Sequence, residues 1–252
     1  MQFASQLVER LRVAERVTVL TGAGVSAESG IPTFRDAQTG LWARYDPTEL
    51  ATPQAFVRNP RLVWDWYAYR RDVIEQAEPN PAHYALVDME QHYANFTLIT
   101  QNVDGLHWRA GSRNLFELHG NISRIRCFEC AAPVTGWDDD GELPPRCPHC
   151  GGLGRPDVVW FGEGLPAPAL REAERATERA DVFLSIGTSA MVQPAASLPL
   201  RARRAGAYVI EINPEETSLA VIADEWLRGP AGVILPELFR QAGGERQSPE
   251  EG

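Results

Sequence analysis

Four short runs of this chain are apolar almost throughout instead of alternating: Val17–Leu20, Asn95–Thr100, Asp181–Ile186 and Ala207–Ile212. Alternation marks a strand with one wet face, whereas continuous β-branched and apolar runs predict strands buried on both faces. Helical character separates them, from about Pro81 to His92, from Leu165 to Ala180 and from Pro194 to Ala205. That succession predicts an α/β fold, a doubly wound, mostly parallel, Rossmann-like sheet with helices on both faces. Ligands of such sheets gather where strands end, here at Thr21, Gln101, Gly187 and Asn213.

From Asp36 to Pro81 the strand rhythm stops. Pro- and Trp-rich turns surround a helical segment, Leu62 to Gln76, and predict an insertion. Residues 1–35, 81–122 and 155–242 are therefore expected to build the sheet domain. Residues 36–80 and 123–154 form a smaller helical and metal-binding domain, and 243–252 a disordered tail. The first residues, with Glu9, Arg10 and Arg12 among apolar positions, predict an amphipathic helix and not a signal peptide.

Composition narrows the function. No run approaches the roughly 18 apolar residues that span a bilayer, so a cytoplasmic protein is expected. The net charge of −10 argues against nucleic-acid binding, which needs a basic footprint, and suits attraction of basic protein segments. All 24 basic residues are arginine.

Two stretches carry chemistry. After Val17–Leu20 comes Thr21-Gly-Ala-Gly-Val-Ser-Ala-Glu-Ser-Gly-Ile-Pro-Thr-Phe-Arg35, a strand, a small-residue turn and a helical segment expected from near Ser26. Gly22 and Gly24 would let the backbone approach a pyrophosphate at a helix N-terminus. The third glycine falls at Gly30, outside the dinucleotide fingerprint. The pairs Cys127-x-x-Cys130 and Cys147-x-x-Cys150, sixteen residues apart, use every cysteine. This is zinc-ribbon spacing, and four thiolates predict one closed, structural zinc. His149 offers a nitrogen inside the second pair, but the tetrahedron is already full, so it is expected outside the ligand set.

The segment Gly22 to Arg35 resembles the first motif of the sirtuins, NAD-dependent protein lysine deacylases. The resemblance recurs at Thr100–His107, Leu118-His-Gly120, the two cysteine pairs, Val159–Glu163 and Gly187-Thr-Ser189. It implies a dinucleotide site of Gly22, Ala23, Gly24, Val25, Ser26, Ala27, Phe34, Arg35 and Trp42 from the first part of the chain. Gln101, Asn102, Val103 and Asp104 would follow on the nicotinamide side. Gly187, Thr188, Ser189, Asn213, Pro214, Glu215 and Ala231 would hold the phosphates and the adenosine half. His119 is implied as general base, the role imidazole suits near neutral pH, and His107 as a neighbour of the nicotinamide pocket. Gly120 would keep that position clear of a side chain. Val159, Trp160, Phe161 and Gly162 resemble a peptide-docking strand.

The implied reaction consumes NAD as cosubstrate. The acyl oxygen of a modified lysine attacks the ribose carbon bearing nicotinamide, and His119 deprotonates a ribose hydroxyl that takes over the acyl group. Free lysine and O-acyl-ADP-ribose result, with acylated proteins as the substrate partners. The same residues also admit a mono-ADP-ribosyltransferase, an NAD glycohydrolase or a non-enzymatic zinc-ribbon module. Asp36 departs from the small residue that many relatives carry. In Trp64–Arg71 the spacing puts Tyr67 and Arg70 on one helix face but cannot choose between Arg70 and Arg71. Tyr67-x-x-Arg70 resembles the pair with which class III sirtuins recognise succinyl- or malonyl-lysine, with Ala43 as the small residue that widens the pocket.

Overall fold

The computed structural model describes residues 1–33, 46–137 and 141–244. Helix α1 (Ser5–Arg12) leads into β1 (Arg16–Thr21), and the chain then runs through α2 (Pro47–Leu50), α3 (Pro53–Arg58), α4 (Pro60–Gln76) and α5 (Pro81–His92). Next come β2 (Asn95–Thr100), α6 (Leu106–Ala110), β3 (Leu115–Glu117), β4 (Gly120–Cys127) and β5 (Gly154–Val158). The last part holds α7 (Ala167–Arg179), β6 (Val182–Ile186), α8 (Leu198–Arg204), β7 (Tyr208–Ile212), β8 (Glu225–Leu227) and α9 (Ala231–Gln241). Six strands form one sheet in the order β3-β2-β1-β6-β7-β8, every pair parallel, and β4 and β5 form a separate antiparallel pair.

The continuous apolar runs are explained by the two faces they serve. Val17 and Val19, Phe96 and Leu98, Val182, Leu184 and Ile186, and Ile210 and Ile212 join one core with residues of α1, α5 and α9. The alternate positions Leu20, Ile99, Phe183 and Val209 join a second core on the opposite face, with residues of α7 and α8. A side-chain period of two then requires apolar residues at nearly every position. Each large side chain so buried contributes about 1.5–3 kcal/mol.

A third core packs Phe56 of α3 and Val63, Trp66, Tyr67 and Ile74 of α4 against Ile122, Val158 and Trp160. On its other side α4 presents Trp64 to the cysteine-rich segment, among Ile125, Cys127, Val134 and Cys147. Helix α4 thus joins two cores. Its start is set by Asn59, whose side chain accepts the Leu62 N–H at 3.1 Å, with Pro60 in the first turn.

The short helical segment expected near Ser26 is a single 3₁₀ turn, Ala27–Ser29, preceded by another at Ala23–Val25 and ended by Gly30 at φ 80°. The helical stretch from Pro194 is a 3₁₀ turn at Ala195–Ser197 that runs into the α-helix Leu198–Arg204. One expectation needs correction. Val159–Glu163 is not a strand; β5 ends at Val158, and the Glu163 N–H turns back to the Trp160 carbonyl. The predicted loop residues Phe34, Arg35, Asp36, Trp42 and Ala43, and residues 245–252 of the predicted tail, lie outside the described residues.

Candidate active site

The strand order reverses between β1 and β6, and the loops leaving their C-terminal ends lie in backbone contact. Gly22 N–H donates to the Ile186 carbonyl at 3.0 Å and Gly24 N–H to the Gly187 carbonyl at 2.9 Å. A Cβ on Gly22 would lie 2.8 Å from the Gly187 oxygen, and one on Gly24 would lie 2.7 Å from the Gly187 Cα. These glycines are therefore required by loop-on-loop packing, a reason the phosphate reading did not contain. Val25 points its side chain into the sheet core, not toward the edge.

From the other side, Asn80 holds the same loop. Its Nδ2 donates to the Val25 carbonyl at 2.8 Å and to Ser29 Oγ at 3.0 Å, while its Oδ1 accepts the Ala82 N–H that starts α5. Sequence reasoning passed over Asn80, although Asn-Pro ahead of a helix is a capping signal. Glu28 was also missed; its carboxylate accepts the Gly232 N–H at 2.8 Å in the first turn of α9.

Behind β2 lies a polar cluster. Ser26 Oγ donates to Asp104 Oδ2 at 2.8 Å, and Asn102 Nδ2 donates to the Gly22 carbonyl and to Ser26 Oγ, each at 3.1 Å. Asp104 Oδ1 accepts the Leu106 N–H at 2.9 Å. Burial raises the Asp104 pKa, against the pull of Leu106 N–H, the Ser26 hydroxyl and the Arg70 charge. Thr21 Oγ1 lies 3.0 Å from His107 Nε2 and donates to Thr100 Oγ1 at 2.8 Å. Its own proton being spent on Thr100, it accepts from His107. Burial lowers the pKa of His107 well below its usual value and that of His83 to about 4, so both imidazoles are neutral.

His119 is half-buried between β3 and β4. Its Nδ1 lies 2.9 Å from the Gln101 carbonyl, and a carbonyl only accepts, so Nδ1 carries the proton and Nε2 a lone pair that no described residue engages. Burial lowers its pKa, partly offset by that carbonyl. The imidazole is neutral, tautomerically fixed and basic at Nε2. The adjacent Gly120, at φ 79°, has a different reason from the one expected: a Cβ there would strike the Asp157 carbonyl of β5.

Gly24, Ala27, Glu28, Gly187, Ile212, Pro214, Pro230 and Ala231 line a cavity of about 270 Å³. Five of the expected dinucleotide residues are thus brought together there. Asn213 braces the wall, its Nδ2 donating to the Thr188 carbonyl at 2.8 Å; Ser189 lies alongside, and Glu215 is exposed. Gln101 and Val103 act through backbone, Gln101 N–H on the Thr21 carbonyl and the Val103 carbonyl on Ile122 N–H. Val159 N–H donates to the His119 carbonyl at 2.9 Å, and Phe161 and Gly162 are exposed beyond it.

The two arginines pack in different surroundings. The Arg71 guanidinium lies 4.8 Å from the Trp64 ring and 5.3 Å from Trp137, against the cysteine-rich segment. Arg70 lies over Trp66 at 5.0 Å and Tyr67 at 5.9 Å, within electrostatic reach of Asp104.

The Sir2 family profile matches residues 22–194. An NAD-dependent protein deacylase of Thermus thermophilus is 53% identical over 245 residues, 94% of this chain and 96% of that protein. One of Aquifex aeolicus is 53% identical over 224 residues, covering 88% and 93%. This chain belongs to the Sir2 family. A crystal structure of a Sir2 homologue with NAD superposes at a TM-score of 0.89 with 50% identity, covering 96% of this chain and 94% of that one. A Sir2 complex with a p53 peptide and NAD+ superposes at 0.86 with 32% identity, covering 96% and 99%.

The metal expected of this Sir2 protein fits its cysteines. The four sulfurs lie within 4.8 Å of one another, with Cys127–Cys150 at 3.4 Å, Cys130–Cys150 at 3.5 Å and Cys130–Cys147 at 3.7 Å. A tetrahedron with Zn–S of about 2.3 Å has edges of about 3.8 Å. His149 is exposed and outside this cluster. The site closes a loop that packs on Trp64, so metal binding and the stability of that packed segment are coupled. Cys147→Ala is expected to lose zinc and lower the melting temperature together, whereas the parent carries one zinc per chain by metal analysis. A zinc-free parent of normal stability contradicts this.

Proposed function

We propose that this chain is an NAD-dependent protein lysine deacylase whose general base is His119. The observation that carries the reading is the His119 tautomer: Nδ1–H is committed to the Gln101 carbonyl, and Nε2 is left basic at the strand edge. The dinucleotide fits the residues present. The cavity among Gly24, Ala27, Gly187, Pro214 and Ala231 would take the adenosine half, and Ser26, Asn102 and Asp104 the nicotinamide side. NAD supplies, when bound, a ribose carbon with nicotinamide as its leaving group. The chain's part is to orient and to move one proton. Buried Asp104 and the oriented Asn102 amide suit the positive charge that develops on a ribose as its glycosidic bond breaks. His119 Nε2 takes a proton from a ribose hydroxyl, and burial keeps it unprotonated for that step.

The finer reading concerns the acyl group. We infer that succinyl- and malonyl-lysine are preferred substrates, with acetyl-lysine also accepted. Tyr67 is fully buried, its hydroxyl pKa pushed up to about 12 by burial, so it remains a donor. Beside it Arg70 supplies the planar fork that suits a carboxylate. The net charge of −10 suits basic protein segments as substrates; no described helix is long and apolar enough to cross a membrane.

His119→Ala is expected to lower kcat for deacylation by roughly 10²–10⁴-fold while NAD binding, read by calorimetry, persists. Because the His119 pKa is lowered, the parent's kcat/KM should be flat at pH 7 and fall only below the ordinary 6.5. Near-normal turnover of the variant, or an acid limb well above 6.5, moves the base elsewhere.

Arg70→Met is expected to raise KM for a succinyl peptide about tenfold or more, a charge-assisted contact being worth about 1.5–3 kcal/mol. The loss on an acetyl peptide should be much smaller. Equal losses make Arg70 structural, and a parent without desuccinylation removes the acyl assignment.

A further inference from the structure

The indole N–H of Trp160 donates to the Tyr67 hydroxyl oxygen at 2.9 Å, deep between α4 and the segment after β5. An indole nitrogen can only donate, so this bond fixes Tyr67 as the acceptor. The tyrosine's own proton is then turned away from Trp160, and among the described residues it meets no acceptor. A buried donor left in that state favours a ligand that brings one.

Trp160 is itself held from every side. It is 1% exposed, and its ring contacts Phe56 and Phe128 at 5.4 and 6.4 Å between centroids. The guanidinium of Arg155 stacks 3.2 Å from its ring centre. Arg155, also buried, makes a two-pronged ion pair with Glu163 at 2.5 and 2.9 Å and donates to the Val158 carbonyl at 2.7 Å. Glu163 in turn accepts the Trp160 backbone N–H at 2.8 Å, and the Glu163 N–H returns to the Trp160 carbonyl at 3.0 Å. The neighbouring Val159 and Phe161 N–H groups are tied to the His119 and Ala51 carbonyls, both at 2.9 Å. Rotation of the indole away from Tyr67 would disturb its packing on Phe56, Phe128 and Arg155, while the backbone bonds hold its Cα in place.

We propose that Trp160, clamped by the Arg155–Glu163 pair, is a positioning residue for acyl specificity, polarising the Tyr67 hydroxyl so that its proton faces the distal carboxylate of a dicarboxylic acyl group. The same bond ties the peptide-side segment to α4, so the residue that carries the acyl-lysine chain and the residue that reads its far end are set by one contact. An acetyl group has no distal carboxylate and draws nothing from this proton. The inference rests on the acyl reading above and names the part of it that Arg70 does not supply.

The test measures kcat and KM on succinyl and acetyl forms of one peptide for the parent, Trp160→Phe, Tyr67→Phe, the double variant and Arg70→Met. Tyr67→Phe removes only the hydroxyl, whereas Trp160→Phe removes the N–H together with part of the buried ring, so the acetyl peptide serves as the control for packing loss. Trp160→Phe should lower the succinyl-to-acetyl ratio of kcat/KM about fivefold, through KM and not kcat, as one hydrogen bond of about 1 kcal/mol implies. Tyr67→Phe should lower the ratio at least as much, and adding Trp160→Phe to it should change the ratio no further. Equal losses on both peptides, a ratio that does not move, or independent effects of the two substitutions overturn the proposal. If Trp160→Phe fails to fold, Tyr67→Phe alone decides, because an unchanged ratio there removes the hydroxyl from recognition. An Arg70→Met ratio that falls while the Trp160→Phe ratio holds overturns this inference and leaves the acyl reading standing. A parent without desuccinylation overturns both.

Discussion

Backbone contact between the loop after β1 and the loop after β6 is the constraint on which the site depends. Two hydrogen bonds and three glycines without room for a Cβ bring the ends of the central strands together. Everything ligand-facing is arranged around that seam. Asn102 reaches it from β2 through the Gly22 carbonyl, and Asn80 through the Val25 carbonyl. Because the seam is made of backbone, each neighbour finds a fixed acceptor, and Ser26 and Asp104 follow from those positions. The open sheet supplies the crevice, as doubly wound sheets do where strand order reverses.

Burial then sets the protonation states. Three imidazoles, His83, His107 and His119, are all shifted toward the neutral form, and only His119 stands at the edge with a lone pair that no described residue engages. His83 and His107 are consumed in structure, one in the cap of α5 and one on Thr21. Helix α4 packs between the segment after β5 and the cysteine-rich segment. One side stacks Trp64 and Arg71 on the cysteine-rich segment, and the other packs Tyr67, with Arg70 over its ring, against Trp160.

Much of this was legible in the chain. Helix Pro81–His92 and strand Asn95–Thr100 begin and end where the residues indicate, because Asn80-Pro81 caps the helix and the strand is apolar on both faces. The helical segment expected near Ser26 stops after one 3₁₀ turn because Gly30, in the left-handed region, ends it. Strands Leu115–Glu117 and Glu225–Leu227 escaped notice since three edge residues carry no period. Helix Ala231–Gln241 did so because Pro230 and Pro236 punctuate it. The cysteine cluster was readable from spacing alone. The roles of Gly22, Gly24 and Gly120 were not, since close packing of one loop on another leaves no mark except the missing side chain. Nor could periodicity separate Arg70 from Arg71; that required Trp137, distant in sequence.

The most direct measurement incubates the zinc-loaded protein with NAD and an acyl-lysine peptide and resolves all products by mass. A deacylase built as described yields nicotinamide, the free-lysine peptide and O-acyl-ADP-ribose in equal amounts. A mass gain of ADP-ribose on protein would make the chain a transferase, ADP-ribose alone a glycohydrolase, and intact NAD a binding module. Any of these contradicts the account.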